Sequence, residues 1–271
     1  MPARFKYYLK GDFRKEEWWN VDDSAYMSAN NNEKEALSQI NTEFSEIGPC
    51  VFPPAWIYYK DDLALAEKQN WHYWFYANNS AGNFDIKFIY CELPVYTVAK
   101  QWRKGIAGLI NSPADDCYPT FDIHNGYIYF CSNRSGRFQL YRVRVDYHQD
   151  LATVLQKEGN VEAELVRELS GDGNDKCPYI INNLMVFTSD RSGGQGGFDL
   201  YFSKYGNGNW SPPVNMGKKI NSPKDEYRPI VNGFSSGDEQ RLNDLLIFSS
   251  NREGGKGGFD LYQAGTDIFR R

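Results

Sequence analysis

The sequence contains one fifteen-residue stretch twice in nearly the same form. FTSDRSGGQGGFDLY occupies positions 187–201, and FSSNREGGKGGFDLY occupies positions 248–262, which is 61 residues later. An earlier block precedes both copies: an aliphatic residue, an acid six positions later and a proline nine positions later. That block occurs four times, beginning at Ile40, Ile110, Leu169 and Ile220. Such a repeat predicts a fold built from small units that stack on their neighbours.

Each block leads into an apolar strand, a turn, and an aromatic-rich strand that ends in a polar corner. In the second copy YIYF and LYRVRV alternate at period two, as half-buried strands do. Asn125-Gly126 before YIYF predicts a tight hairpin turn of the primed type. Successive blocks begin 51 to 70 residues apart. This interval fits a propeller blade of four strands, with about 40 to 50 residues per unit plus insertions.

The fourth strand of a blade is predicted before three of the blocks, at 98–106, 161–169 and 209–217. Only nine residues follow Tyr262, whereas 39 precede Ile40. We therefore predict that the Trp18-Trp19 region supplies the outer strand of the last blade and removes the exposed sheet edge.

The resulting prediction is one all-β domain over 1–271. It is a β-propeller of four four-stranded antiparallel blades, with units beginning near 40, 110, 169 and 220. Residues 1–39 supply the closing strand and an insertion. The alternative is five blades, if 1–39 contains more sheet.

Composition excludes several classes of protein. The net charge of −5 argues against a nucleic-acid partner, which requires a positive surface. No apolar run approaches the roughly 18 residues of a membrane helix, so we expect no transmembrane segment. The first ten residues lack the apolar region of a signal peptide, so the chain is cytosolic or begins after a removed leader. The five cysteines form no CxxC pair and indicate small buried side chains.

The repeat resembles a known family. The [ND]-R-x-G-G-x-G-G-F-D-L-Y corner, the I-N-S-P-x-D-E block and the W-S-x-P-V-N strand are similar to the TolB-type, WD-like propeller repeat of Bacteroidetes cell-envelope proteins. The likeness is strong over 110–262 and weaker over 40–88, where Ser80 replaces the arginine. It implies a non-catalytic scaffold of the periplasm, outer membrane or cell surface, often in lipoproteins.

The glycine-rich corner invites comparison with ligand loops. GGQGGFD is close to a calcium-binding nonapeptide, but an extra residue precedes Asp199 and Asp260, and the copies are 61 rather than nine residues apart. A phosphate cradle needs a following helix, whereas a strand follows here. We expect a glycine turn between strands, with no metal and no cofactor.

Paired charges recur at one rim of the predicted blades. Up-and-down connectivity places the acid–proline block and the Asn-Arg-Gly corner on the same face. We predict Arg–carboxylate clasps there, or a ligand-facing polar mouth, formed by Arg134, Arg191, Arg252, Asp116, Asp175 and Glu226. The first blade is expected to be the loosest, because Ser80 cannot pair with Glu46.

No catalytic residues are predicted. The non-repeated acids Asp61, Asp62 and Asp122 form no evident acid–base pair and are interpreted as solvated charges. The insertions at 59–70 and 233–244, the loop at 90–101 and the N-terminal insertion are candidate partner-binding loops.

Three functions are compatible with these features. The main expectation is a non-enzymatic, envelope-associated scaffold that binds another envelope protein, with glycan or peptidoglycan as further candidate partners. The alternative is a glycan-binding or glycan-hydrolysing propeller, in which the 16% aromatic content supplies sugar platforms. The third is a cytosolic peptide-binding propeller.

Overall fold

The computed structural model describes residues 13–14, 40–52, 71–92, 102–157, 162–232 and 244–266. These residues form seventeen β-strands and one short α-helix. The chain divides into two compact units, 20–166 and 1–19 together with 167–271. Each unit holds two antiparallel sheets, and each sheet is one blade of a propeller.

Blades 1 and 2 belong to the unit 20–166. Blade 1 has the strand order β2 (Glu46–Val51), β3 (Trp71–Asn78), β4 (Asp85–Glu92) and β5 (Arg103–Ile106). Blade 2 has the order β6 (Asp116–Asp122), β7 (Tyr127–Ser132), β8 (Gln139–Arg144) and β9 (Glu164–Leu165). The helix α1 (Leu151–Leu155) lies between β8 and β9, and the Asp150 side chain caps its N-terminus by accepting from the Thr153 amide.

Blades 3 and 4 belong to the other unit. Blade 3 contains β10 (Asp175–Ile181), β11 (Leu184–Ser189) and β12 (Asp199–Gly206), and its outer strand is split into β13 (Asn209–Trp210) and β14 (Val214–Asn215). Blade 4 contains β15 (Glu226–Asn232), β16 (Asp244–Ser250), β17 (Asp260–Thr266) and β1 (Phe13–Arg14).

A strand from residues 1–39 pairs with the last strand of blade 4, as predicted. β1 pairs antiparallel with β17, with Phe13 opposite Gln263 and Arg14 opposite Tyr262. The predicted Trp18-Trp19 segment lies outside the described residues, so its part in this strand stays a prediction.

The first strand of every blade contains the same irregularity. The residue two positions after the acid has a positive φ, and the antiparallel register shifts there; the four residues are Gly48, Tyr118, Cys177 and Arg228. A proline follows each of them. The repeated acid–x–x–proline spacing therefore encodes a β-bulge that bends the first strand. Three of the four copies place a residue with a Cβ in the left-handed region.

One predicted turn differs in detail. The β6–β7 hairpin exists, but four residues connect Asp122 to Tyr127. Gly126 takes a φ of 73°, whereas Asn125 does not have a positive φ. Asn125 instead donates through its amide and side chain to Asp122. The loop is closed by this side-chain contact and not by a two-residue primed turn.

Each unit has an apolar core between the faces of its two blades. In the unit 20–166 this core includes Phe75, Phe88, Phe130 and Leu155. In the other unit it includes Leu184, Val186, Leu200 and Leu246. Period-two strands bury one face in this way.

None of the five cysteines, all of which are described, forms a disulfide, and Cys91, Cys117, Cys131 and Cys177 are buried, as expected. Burial also raises the pKa of the half-buried Cys50 thiol to about 12.

The fold class is the predicted one: an all-β propeller of four antiparallel blades. The predicted outer strands at 98–106, 161–169 and 209–217 contain β5, β9 and β13–β14. The acid of each repeated block is the first residue of its blade. The assignment of 1–271 to one domain stays a prediction.

Candidate functional site

The predicted arginine–carboxylate pairs form, and each lies within one blade. The guanidinium Nη2 atoms lie 2.7, 2.5 and 3.0 Å from the carboxylate oxygens in the pairs Arg134–Asp116, Arg191–Asp175 and Arg252–Glu226. In all three pairs the acid side chain is 0% exposed. We call this arrangement the arginine clasp.

Each clasp includes the same four further contacts. In blade 3, Arg191 Nη2 donates to the Leu169 carbonyl at 2.7 Å and Nε donates to Ser189 Oγ at 2.9 Å. Its guanidinium carbon lies 5.2 Å from the ring centre of Phe187 and 4.9 Å from that of Tyr201. Blades 2 and 4 repeat these contacts with Ile110, Ser132, Phe130 and Tyr141, and with Ile220, Ser250, Phe248 and Tyr262.

The strand register brings the clasp together. The acid opens the first strand, and its register partner is the serine that ends the second strand, as in Asp175 opposite Ser189. The arginine follows that serine by two residues, and its flanking rings are themselves register partners, as in Phe187 opposite Tyr201. A buried carboxylate requires this compensation, because an unpaired buried charge is costly. The clasp is therefore part of the blade core, and a ligand-binding role for its six residues stays a prediction.

The repeated aspartates of the glycine corner organise their own loops. Asp199 accepts from the amides of Gln195 and Gly196 at 2.5 and 3.2 Å and from Asn215 Nδ2 at 2.8 Å. Asp260 accepts from the amides of Lys256 and Gly257. These acids fix the turn between strands, which agrees with the expected glycine turn.

The glycine corner also joins blade 3 to blade 4. A Cβ on Gly196 would lie 2.2 Å from the Lys224 carbonyl oxygen, so only glycine fits there. Beside it the Phe198 amide donates to Asp225, and the Glu226 amide donates to the Phe198 carbonyl. In the other unit the same two bonds link Phe84 with Asp115 and Asp116.

Of the three non-repeated acids, Asp122 lies among the described residues. It is 2% exposed and holds the β6–β7 turn, so its interpretation as a solvated charge is wrong. Asp61, Asp62, the insertion at 59–70 and residues 233–243 lie outside the described residues, as do residues 93–101. No group of three or more His, Cys, Asp or Glu side chains within the described ranges is arranged to hold a metal ion.

Blade 1 lacks the clasp and is built differently at the same place. Ser80 stands where the other blades have arginine, and Asn78 stands where they have serine. Lys87 is the register partner of Tyr76, so it occupies the position of the second flanking ring. Its ammonium donates to Asn78 Oδ1 at 2.8 Å and to Ser80 Oγ at 2.7 Å. A lysine from the third strand thus replaces the arginine from the corner.

Glu46 keeps its place at the start of the first strand of blade 1. It accepts from Asn78 Nδ2 at 2.7 Å and from the Thr42 hydroxyl. Burial acts to raise the pKa of Glu46, but these hydrogen bonds and the charge of Lys87 outweigh it and hold that pKa below 4.5. Glu46 is therefore ionised at neutral pH.

The missing arginine leaves a pocket of about 580 Å³ in blade 1. Its wall combines an aromatic ring, two ammonium groups, amides and hydroxyls; the described lining residues are Thr42, Tyr76, Asn78, Ser80, Lys87, Lys104, Gly105, Ile106, Gly108 and Gln156. These lining residues include two lysines and no carboxylate. We call this space the blade-1 pocket.

A second carboxyl group, that of Asp85, lies in the same cross-strand row as Glu46 and the pocket residue Asn78. Asn78 is the register partner of both Glu46 and Asp85. Burial raises the pKa of Asp85 above 3.8, and Asp116 raises it further, while Asn83 and Lys87 partly oppose this. The two acids of this row therefore have pKa values displaced in opposite directions.

Sequence analysis identified Ser80 and Glu46 as an unmatched pair but did not find the blade-1 pocket. The signal was present in the repeat itself. When the four copies are aligned, two positions differ in blade 1. Ser80 replaces the arginine, and Lys87 replaces the aromatic residue that lies nearest to that arginine in the other blades. Their proximity becomes apparent only once the strand register is known.

Comparison with known proteins finds only remote structural similarity. No family model and no curated protein matches the chain. An α-L-arabinofuranosidase from Lactobacillus brevis is 12% identical with a TM-score of 0.46, covering 72% of this chain and 68% of that one. The xyloglucan PUL protein GH43B from Bacteroides ovatus is 15% identical with a TM-score of 0.45, over 72% and 38%. TolB from Acinetobacter baumannii is 13% identical with a TM-score of 0.34, over 72% and 41%.

These findings correct the main functional expectation. A non-catalytic scaffold was predicted, but the matching structures include arabinofuranosidases and GH43B alongside TolB. The predictions of a scaffold and of a non-enzyme are therefore wrong, and the glycan alternative is the better supported one. At 10 to 15% identity no activity transfers from any single structure. Within the part of the chain that the structure describes, no helix has the length and apolar character that crossing a membrane requires.

Proposed function

We propose that this chain is a glycan-handling β-propeller whose blade-1 pocket binds a saccharide. One observation carries the proposal: the described pocket lies in the blade that departs from the repeat. A contact that recurs in every blade stabilises the fold. A surface found in one blade is not required by the repeated fold and is therefore a candidate for binding a ligand. The volume of about 580 Å³ lies within the range typical of small-molecule sites.

The pocket has the mixed chemistry that a saccharide requires. A sugar ring presents hydroxyl groups at its rim and an apolar face of C–H groups. Asn78, Ser80 and Lys87 supply hydrogen-bonding groups, and Tyr76 supplies an aromatic surface. Tyr76 is 7% exposed, and its pKa is raised by burial first and by the Glu46 charge second. Its hydroxyl therefore stays protonated at neutral pH.

The test is to rebuild the missing clasp. Blade 1 keeps Ile40 and Glu46, which correspond to the carbonyl and carboxylate partners of the other clasps. An Asn78→Ser, Ser80→Arg, Lys87→Tyr variant restores the pattern of blades 2 to 4, so we expect its arginine to fill the pocket while the fold remains stable.

Wild-type protein and the rebuilt variant are screened on an array of plant, bacterial and host glycans, and hits are measured by calorimetry. We expect at least one saccharide to bind wild type and to lose about tenfold or more of its affinity for the variant. The control is Lys224→Gln, an exposed lysine in the other unit, which should bind like wild type. Equal binding by wild type and the rebuilt variant, or no binding to any glycan, would refute the proposed site.

Hydrolysis is a second candidate, because Glu46 and Asp85, which pair with the pocket residue Asn78 although neither is among the described lining residues, have pKa values shifted in opposite directions. A carboxylate held ionised and a carboxyl group with a raised pKa are the pair that glycoside cleavage uses. Glu46 lies on β2 and Asp85 on β4, with β3 between them. Adjacent strands lie about 4.8 Å apart, so the backbones of these two residues are about 10 Å apart. Polysaccharides bound on the array are incubated with wild type, Glu46→Gln and Asp85→Asn, and reducing ends are counted. Release by wild type that both variants lose supports hydrolysis, whereas binding without release restricts the function to recognition.

We infer further that the repeat is of the TolB type and that the protein works in the periplasm or at the outer surface. The repeated corner and block support this inference, together with the propeller fold. Fractionation of the native cells tests it with an antibody to the chain. Recovery with the envelope or the periplasm supports the inference, and recovery with the cytosol overturns it.

A further inference from the structure

The blade-1 pocket concentrates positive charge in an acidic protein. The chain carries 35 acidic and 30 basic residues. Among the described residues that line the pocket, however, there are two lysines and no acid. Lys87 comes from β4 and Lys104 from β5, and their neighbouring register pairs are Lys87–Ile106 and Ile89–Lys104.

The Lys87 ammonium is held in place by the protein. It bonds to Asn78 Oδ1 and Ser80 Oγ, which uses two of its three N–H donors. Asn78 is fixed in turn, because its Nδ2 donates to Glu46. Both of these acceptors are neutral, whereas each clasp arginine bonds directly to a buried carboxylate. Lys87 also attracts Glu46 and Asp85 at longer range, which acts to lower the pKa of both acids.

In blades 2 to 4 an arginine occupies the position that Ser80 has in blade 1. There a guanidinium meets a carboxylate of the chain itself. In blade 1 the corresponding carboxylate, Glu46, is satisfied by Thr42 and Asn78 and is absent from the pocket lining. The cation faces a pocket with no acid of its own among the described lining residues, so an anion on the ligand completes the pairing.

We infer that the saccharide bound in the blade-1 pocket is acidic, with its carboxylate or sulfate group held by Lys87 and assisted by Lys104. This inference rests on the proposed function and names the class of glycan. A hydrogen bond between two charged groups is about twice as strong as a neutral one, so the anionic group should dominate selectivity.

The experiment compares ligands that differ only in charge. Calorimetry is run with trigalacturonic acid, with the same trisaccharide methyl-esterified, and with a sulfated galactose trisaccharide. We expect an acidic ligand to bind about tenfold or more tightly than the neutral ester. We expect that preference to shrink as salt is raised from about 0.05 to 0.5 M, because counterions screen the partly exposed charges. Preference for trigalacturonic acid identifies a carboxylate, and preference for the sulfated ligand identifies a sulfate; either supports the inference.

Two single variants locate the charge. Lys87→Met should abolish the preference for the acidic ligand, and Lys104→Gln should reduce it several-fold, while Lys224→Gln leaves it unchanged. Lys104 is exposed, so its variant stays informative if Lys87→Met fails to fold. A Lys104→Gln variant that keeps the whole preference at every salt concentration would count against the assigned pair.

The outcomes separate this inference from the proposed function. Equal binding of acidic and neutral ligands overturns the acidic class but leaves saccharide binding in place. Binding of sodium acetate or sulfate alone as tightly as the trisaccharides would show a plain anion site and overturn the inference. Failure of all three ligands, together with an empty glycan array, overturns both.

Discussion

At the scale of single residues, the arginine clasp is a buried ion pair that the protein repeats three times. Its acid is fully buried, and its guanidinium lies against two aromatic rings. Removing one partner of such a pair leaves a charge in the core without compensation. An exposed pair such as Arg142–Glu164, whose acid is 58% exposed, contributes far less because water screens it.

The first prediction concerns this contrast. Arg191→Leu should lower the free energy of unfolding by about 3 kcal/mol, because Asp175 stays buried without its partner. Glu164→Gln is the control on an exposed pair and should cost less than about 1 kcal/mol. Urea denaturation followed by tryptophan fluorescence measures both. Similar costs for the two variants would show that the clasp is not a core element.

The second prediction concerns Glu46 and pH. Its pKa in the folded chain lies below 4.5, so its ionised form stabilises the fold above that value, and the contribution is lost as pH falls through the folded pKa. Glu46→Gln should therefore have a lower melting temperature than wild type at pH 7. The difference should shrink as the pH falls through the folded pKa, because wild-type Glu46 then also becomes neutral. A gap that stays constant as the pH is lowered over the whole range in which the protein remains folded would contradict the assigned shift.

At the scale of elements, the bulge in each first strand determines how a blade begins. It places a left-handed residue between the acid and the proline, and in blade 1 that residue is Gly48. A Cβ there would lie 2.5 Å from the Tyr118 ring of blade 2. The bulge therefore affects the packing between blades 1 and 2 as well as the course of one strand.

The third prediction follows from this contact. Gly48→Ala should cost about 2 kcal/mol or more, because the backbone conformation and the ring contact both oppose the methyl group. Gly217→Ala is the matched control: its φ is 76°, close to the 62° of Gly48, and nothing lies within 4 Å of the added Cβ. It should cost about 1 kcal/mol from the backbone alone. Thermal unfolding of the two variants measures the difference, and equal costs would exclude a steric role for Tyr118.

At the scale of the whole molecule, the beginning of the chain completes its final blade. β1 pairs with Gln263 and Tyr262 of β17, so the last sheet has four strands only when residues 13 and 14 are in place. Without them β17 becomes an edge strand with unpaired backbone groups, which favours association with other chains.

The fourth prediction tests this closure. Deleting residues 1–15 should remove the hydrogen-exchange protection that β1 gives to the backbone amides of β17 and should lower the melting temperature. We also expect dimers or aggregates by light scattering, because the new edge is open. Deleting only residues 1–10 retains β1 and serves as the control. Unchanged protection in the longer deletion would show that β1 does not stabilise the blade.

The sequence by itself determined the architecture. Four copies of the block placed each blade's first residue at Glu46, Asp116, Asp175 and Glu226, and the predicted outer strands at 98–106 and 209–217 contain the observed ones. It also indicated the arginine–carboxylate pairs. These features were accessible because a repeat shows the same local pattern several times, and each copy checks the others.

Only the tertiary structure decided the candidate site. The sequence shows that Ser80 replaces an arginine, but it does not connect Ser80 with Lys87, seven residues later. The register of β3 and β4 brings Lys87 to the place of a missing aromatic ring. The pairing of β1 with β17 likewise joins segments from opposite ends of the sequence. A pocket and a long-range strand pair are formed by residues that are distant in sequence but adjacent in space. Local sequence periodicity does not specify which distant segments meet.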